Sequence, residues 1–343
     1  LTAPLEKLLA DEGIDCIVYD KTVANPTTVN VAEALELYKE NNCEALIGFG
    51  GGSSIDCAKA AGARIARPDK ELSDMEGILK VGRKLPLLIA IPTTAGTGSE
   101  TTLAAVITDA ETRHKYPIND FPLIPHYAVL DPEVTRSLPP SLTATTGMDA
   151  LTHAVEAYIG RSTTAGTRKD SIRAVQLIFK YIRTAYNDGN DMRARKQMLY
   201  AAYLAGSAFT KSYVGYVHAV AHSLGGRYNT PHGLANAVLL PHVLEAYGES
   251  AAHKLCRLAV FAGLADADTP DDEGAAIFIE AIRQMKEDLN IPDVIPEIKE
   301  EDIPELARFA DKEANPLYPV PKLMNASELE KFYYCVMSLG QAD

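Results

Sequence analysis

Asp149 and His153 stand four residues apart, and so do His218 and His222. On a helix that spacing brings each pair onto one face. His232 follows beyond Gly225-Gly226, a break at which the chain can fold back. The faces are otherwise apolar: Ala150, Leu151, Ala154 and Val155 around the first pair, Ala219, Val220 and Leu224 around the second. An apolar setting penalises unpaired imidazoles and an unpaired carboxylate. A divalent cation removes that penalty. Imidazole suits Zn, Fe, Ni and Cu, and one carboxylate adds hardness suited to Fe(II), Mn or Zn. Three His and one Asp make a four-ligand set with room for a substrate oxygen. Asp149, His153, His218, His222 and His232 are five candidates for four positions, and spacing does not say which of His218 and His222 binds. A lone buried histidine is more often a hydrogen-bonded core residue, but two i,i+4 pairings with an Asp favour a metal. His114, His126, His242 and His253 belong to no such grouping and read as structural or surface residues.

A second kind of chemistry is written in two small-residue loops. Phe49-Gly50-Gly51-Gly52-Ser53-Ser54-Ile55-Asp56 follows a short apolar run and opens an Ala-rich helical pattern. Glycines let the backbone turn sharply and approach a ligand, and the first amides of a helix favour phosphate. Ser53 is expected to cap that helix. The loop is not a GxGxxG fingerprint and lacks the Gly-Lys-Ser/Thr ending of a P-loop. Its bland alternative is a tight strand–helix turn. Thr93-Thr94-Ala95-Gly96-Thr97-Gly98-Ser99 follows another apolar run, and the two loops together fit a dinucleotide at the carboxyl ends of parallel strands. Lys115 is a candidate partner for a ribose or phosphate, its plain alternative being a solvated lysine.

These residues need elements to hold them. Over residues 1 to about 135, helical patterns (Leu5, Leu8 and Leu9; Val31 to Tyr38; Ser54 to Ala66) alternate with short strand runs at Cys16–Tyr19, Ala45–Phe49 and Leu87–Ile91. That alternation implies parallel βαβ units. After Leu138-Pro139-Pro140 helical periodicity is nearly continuous, with helices expected near 147–160, 168–187, 191–211, 213–226, 234–248, 250–262, 272–290, 301–312 and 326–339. The reading is α/β plus all-α: a Rossmann-like parallel-sheet domain over 1–137 and a helical domain over 138–343, with the cleft between them as the default site.

Composition excludes several function classes. The chain of 343 residues carries a net charge of -13, which repels phosphate backbones and anionic lipid, so neither nucleic acid nor membrane is an expected partner. No apolar run is long enough for a bilayer span. Leu1 to Glu12 carries acids and a Lys inside its apolar pattern, unlike a signal peptide. Five scattered cysteines without a CxxC read as reduced thiols in a cytoplasm.

At this point the chain resembles the iron-containing (group III) alcohol dehydrogenases. The matching stretches are Gly50-Gly51-Gly52-Ser53 with Asp56 and Lys59, Pro92 through Glu100, Gly147-Met148-Asp149 through Tyr158, and Gly215 through His222 leading to Asn229-Thr230-Pro231-His232-Gly233-Leu234-Ala235-Asn236-Ala237. They run in family order across nearly the whole chain. The resemblance implies a dehydroquinate synthase-like fold. It implies Asp149, His153, His218 and His232 as metal ligands, and His222 as a catalytic proton shuttle near the nicotinamide. It places Gly51, Gly52, Ser53, Asp56, Thr93, Thr94 and Lys115 at the cofactor, and suggests a homo-oligomer, at least a dimer. It also implies a further strand and helix ahead of Leu1, the strand ending in the acidic residue that reads the adenosine ribose. Asp20 does not take that role, and the choice between NAD and NADP goes with the preceding segment.

The activity so implied is reversible oxidation of a short, uncharged primary alcohol or diol to an aldehyde, with Fe2+, or Zn2+ by ligand chemistry, and NAD or NADP. A zinc glycerol dehydrogenase is the nearest rival. A same-fold lyase of dehydroquinate synthase type is another, but it needs basic residues for an anionic substrate, and 146–160 with 213–236 offers only Arg227. A non-enzymatic binding module predicts no metal and no change in NADH absorbance with alcohols.

Overall fold

A computed structural model describes residues 2–338. The chain divides into two compact units, residues 1–94 with 98–137 and residues 95–97 with 138–343.

The first unit contains α1 (Ala3–Asp11), α2 (Thr28–Glu40), β1 (Ala45–Gly50), α3 (Gly52–Ala66), β2 (Gly77–Ile78), β3 (Leu87–Pro92), β4 (Ala104–Thr108), β5 (Lys115–Asn119) and β6 (Tyr127–Ala128). β1, β3 and β6 form a parallel sheet in which Ala45 pairs with Leu87 and Gly50 with Pro92. β1 and β3 therefore end level, and the loops after them emerge side by side. Buried Ala60, Ala61 and Ala63 of α3 meet Leu88 of β3 and Ile107 of β4 in one core. A capping box between Thr27 and Asn30 starts α2. β4 and β5 make an antiparallel hairpin that periodicity did not reveal. Its polar turn is organised by Asp109 Oδ1, which accepts from Glu111 N, Thr112 N and Thr112 Oγ1.

Two local expectations need correction here. Cys16–Tyr19 is not a strand: it has no ladder partner, and Ile17 and Val18 are exposed. Four apolar residues are too few to identify a strand when no neighbouring edge supplies hydrogen bonds. Tyr19 instead ties the segment to α2 by donating to Glu33 Oε2 at 2.6 Å. Nor does Ser53 cap α3, which starts two residues earlier than that cap requires, at Gly52, with Gly51 at its N-cap. Ser53 Oγ instead accepts from Asn25 N at 3.3 Å.

The second unit is helical: α4 (Pro140–Ile159), α5 (Ala165–Asn187), α6 (Met192–Ser212), α7 (Tyr216–Tyr228), α8 (His232–Tyr247), α9 (Glu249–Phe261), α10 (Asp271–Asp288), α11 (Ile303–Ala314) and α12 (Ala326–Val336). α4 is buried on every side from Gly147 to Ile159, so its polar Asp149, Thr152, His153 and Glu156 are enclosed with its apolar residues. Buried Arg195 anchors its beginning through Thr143 Oγ1 at 2.7 Å and the carbonyl of Leu138. Lys254 Nζ closes its end on the carbonyls of Ile159 and Gly160, where orphan acceptors and the helix dipole favour a cation. No described helix is long and apolar enough to cross a membrane.

Candidate metal centre and cofactor loops

α4 carries Asp149 and His153 on one face, with Glu156 a turn further on. α7 brings His218, and α8 begins at His232. Gly233 lets α8 approach closely, since a Cβ there would stand 2.4 Å from the Thr145 carbonyl oxygen of α4. Asp149, His153, His218 and His232 each contribute one ligand atom to a group whose members all lie within 4.8 Å of one another. Asp149 Oδ1 is 3.3 Å from His232 Nε2 and 3.8 Å from His218 Nε2. Asp149, His153 and His218 are at most 4% exposed.

Burial lowers the His153 imidazole to about 4 and takes His218 well below its ordinary value. Burial thus favours the neutral form of both rings, which leaves a lone pair free to bind. Burial pulls the Asp149 carboxyl upward, but the neighbouring His153 and His232 win and hold it below the usual carboxylate range. Neutral imidazoles around an ionised carboxylate, inside an apolar core, form the donor set that a divalent cation neutralises. His153 Nδ1 is buried without a hydrogen-bond partner, so the ring is not fully spent within the fold. The residues fit the group.

His222 stands apart from this set. Its side chain is 40% exposed, its ring stacks on His232 with centroids 5.2 Å apart, and its Nδ1 lies 2.7 Å from Glu313 Oε1. Tyr318 donates to the same carboxylate oxygen at 2.7 Å.

Spacing left four neighbours without a role. Phe209 stacks on His153, ring centroids 4.1 Å apart. Asn236 Nδ2 donates to Asp149 Oδ1 at 2.7 Å. Glu156 Oε2 lies 2.6 Å from His218 Nδ1. Glu313 holds His222. A signal existed for two of them: Glu156 and Asn236 are polar residues on apolar helix faces, three and four positions after His153 and His232.

In the first unit, Gly50 turns the chain out of β1 with φ +145°, and a Cβ there would strike Ser54 Oγ at 2.5 Å. Thr93 N donates to the Gly50 carbonyl at 2.9 Å, pinning the two loops together. Thr94 packs against Gly51. Gly51, Gly52 and Ser53 present the first amides of α3, which lack intrahelical acceptors. Asp56 is spent within the fold: Oδ1 accepts from Ser99 Oγ at 2.6 Å and Oδ2 from Val106 N at 3.0 Å. Lys59 is wholly buried and donates to the Thr102 carbonyl, Thr102 Oγ1 and the Ala104 carbonyl. Lys115 Nζ donates to Asn25 Oδ1 at 2.8 Å.

A doubly layered α/β unit with a glycine loop, joined in one chain to a helical unit bearing a carboxylate and three imidazoles, is the architecture of a metal-dependent dehydrogenase. The match to known proteins narrows the class. Residues 1–132 match the family described as "Iron-containing alcohol dehydrogenase", and residues 143–336 match "Fe-containing alcohol dehydrogenase family, C-terminal". The chain belongs to the iron-containing alcohol dehydrogenase family and is an alcohol/aldehyde oxidoreductase. It is 38% identical over 327 residues to 1,3-propanediol dehydrogenase of Citrobacter freundii, covering 95% of this chain and 84% of that one. It is 37% identical over 312 residues to NAD-dependent methanol dehydrogenase of Bacillus methanolicus, covering 90% and 82%. Among solved structures, the alcohol dehydrogenase from Oenococcus oeni superposes with a TM-score of 0.93 at 35% identity, covering 98% of this chain and 89% of that one.

Proposed function

We propose that the chain interconverts a short, uncharged primary alcohol or diol with its aldehyde. Asp149, His153, His218 and His232 hold a divalent cation, Fe2+ in keeping with the family and Zn2+ in keeping with the ligands. Gly51, Gly52, Ser53, Thr93 and Thr94 receive NAD or NADP, with Lys115 beside them and Asp56 fixing the loop. The single observation that carries this reading is the convergence of one carboxylate and three imidazoles from three helices within 4.8 Å.

When bound, the cation supplies Lewis acidity that makes an alcohol hydroxyl acidic enough to ionise near neutral pH. The chain's own residues do the rest. Asp149 and the neutral imidazoles orient the centre, and the apolar walls of α4 and α7 exclude water from it. His222, exposed at the edge and braced by Glu313, carries the hydroxyl proton to solvent. The segments 146–160 and 213–236 carry no basic residue apart from Arg227, which is paired with Asp302, and this favours an uncharged substrate over an anionic one. The protein acts in the cytoplasm as a homo-oligomer on this reading.

The test is absorbance at 340 nm with NAD(H) and NADP(H) against a panel of short alcohols, diols and aldehydes, using protein purified anaerobically. Turnover is expected, is lost on chelation, and returns with Fe2+ or Zn2+. Full activity in metal-stripped protein would overturn the proposal.

A further inference from the structure

Glu156 takes no direct part in the proposed alcohol oxidation, yet it is a buried carboxylate on the helix that carries Asp149 and His153. It meets the start of α7. Gly215 N donates to its Oε2 at 2.8 Å and Val217 N to its Oε1 at 2.9 Å. Those are amides without intrahelical acceptors, so the contact ties α7 to α4. Gly215 makes the approach feasible, since a Cβ there would stand 2.7 Å from Glu156 Oε1.

The third contact is to His218 Nδ1, 2.6 Å from Oε2. The opposite edge of the ring shows where the proton that Glu156 holds resides. His218 Nε2 lies 3.2 Å from Asn236 Nδ2. Asn236 is oriented by Asp149, whose Oδ1 accepts from the amide nitrogen at 2.7 Å. The opposite amide rotamer would set two oxygens against each other. Asn236 Nδ2 gives one hydrogen to Asp149 and holds the other between His218 Nε2 and His232 Nε2, the latter 3.1 Å away. An Nε2–H on His218 would be set against that amide N–H, so the ring proton resides on Nδ1, where Glu156 receives it.

We propose that Glu156 is a positioning residue: it holds His218 in the Nδ1–H tautomer and in the ring plane that points the Nε2 lone pair at Asp149, His153 and His232. The inference rests on reading those four residues as a cation site. Carboxylates that brace a ligating imidazole in this way change metal affinity by about 10–100-fold when removed.

Two measurements on the full chain test it. Histidine 15N correlation spectra of the chelator-treated wild type are expected to show His218 as the Nδ1–H tautomer, and Glu156→Gln is expected to abolish that preference. Co2+ competition against a chromophoric chelator is expected to show about 10–100-fold weaker binding in Glu156→Gln, with a changed Co2+ visible spectrum. An Nε2–H tautomer in the wild type overturns the inference and needs no variant to fold. So does a Glu156→Gln protein whose melting temperature falls while tautomer and Co2+ affinity stay unchanged, because Glu156 is then only a cap for α7. A wild type that takes up no Co2+ at all overturns the underlying cation reading instead.

Discussion

The four proposed ligands and His222 differ in burial and in what they touch, and the difference makes them separable. His153 is almost wholly enclosed, whereas His222 is 40% exposed and hydrogen-bonded to Glu313. Replacing His153 by Ala is expected to abolish metal content and turnover together. Replacing His222 by Ala should leave metal content at the wild-type level and slow turnover by about a hundredfold or more. Elemental analysis alongside steady-state rates checks both. Loss of metal in the His222 variant with retention in a His218→Ala variant would exchange the two assignments. At this scale the sequence was informative because charge on an apolar helix face is costly, and i,i+4 spacing exposes it. It was silent on Glu313, which lies 91 residues from His222 and reaches it only through tertiary packing. Spacing alone also left His218 and His222 equivalent, and only the family resemblance separated them.

Helices were far more legible than strands. Each of α4 to α12 lies where the 3.6-residue pattern put a helix, because long amphipathic repeats average out local noise. The β4–β5 hairpin went unseen, and Cys16–Tyr19 looked like a strand, since in runs of four or five residues pairing partners decide more than composition does. Helix placement also sets a test. Gly233, at the start of α8, is pressed against the α4 backbone at Thr145. Alanine there must push α8 outward, and His232 travels with it. Gly233→Ala is expected to weaken cation binding at least tenfold while far-ultraviolet circular dichroism stays helical. Unchanged Co2+ affinity would show that α8 accommodates the methyl without shifting His232.

For the molecule as a whole, stability against pH follows from charges sealed inside the sheet unit. Burial raises the Glu100 carboxyl to about 7 from an ordinary 4.5, and its Oε1 has no hydrogen-bond partner. Lys59, which helps to counter that rise, is itself lowered to about 8 by burial. Between pH 4.5 and 7 folded Glu100 keeps a proton that the unfolded chain releases. Its contribution is therefore fully present below about 4.5 and lost as pH climbs through 7, a change of about 3 kcal/mol. Glu100→Gln removes this dependence. Urea unfolding at pH 5 and pH 8 is expected to show the variant gaining on the wild type at the higher pH, and an equal difference at both would refute it. The division into an α/β part and a helical part could be read from the change of period near Leu138. The assignment of residues 95–97 to the helical unit could not, because it arises when Gly96 seats against Thr146 without room for a Cβ.

The ring stack beside the ligands has an optical consequence. Phe209, His153 and His218 lie face to face at 4.1 and 4.4 Å, and the chain contains no Trp. An indole introduced as Phe209→Trp would be the molecule's single tryptophan emitter, one imidazole away from the proposed ion. Its fluorescence would then report directly on the arrival of a quenching, paramagnetic metal against a background of tyrosine alone.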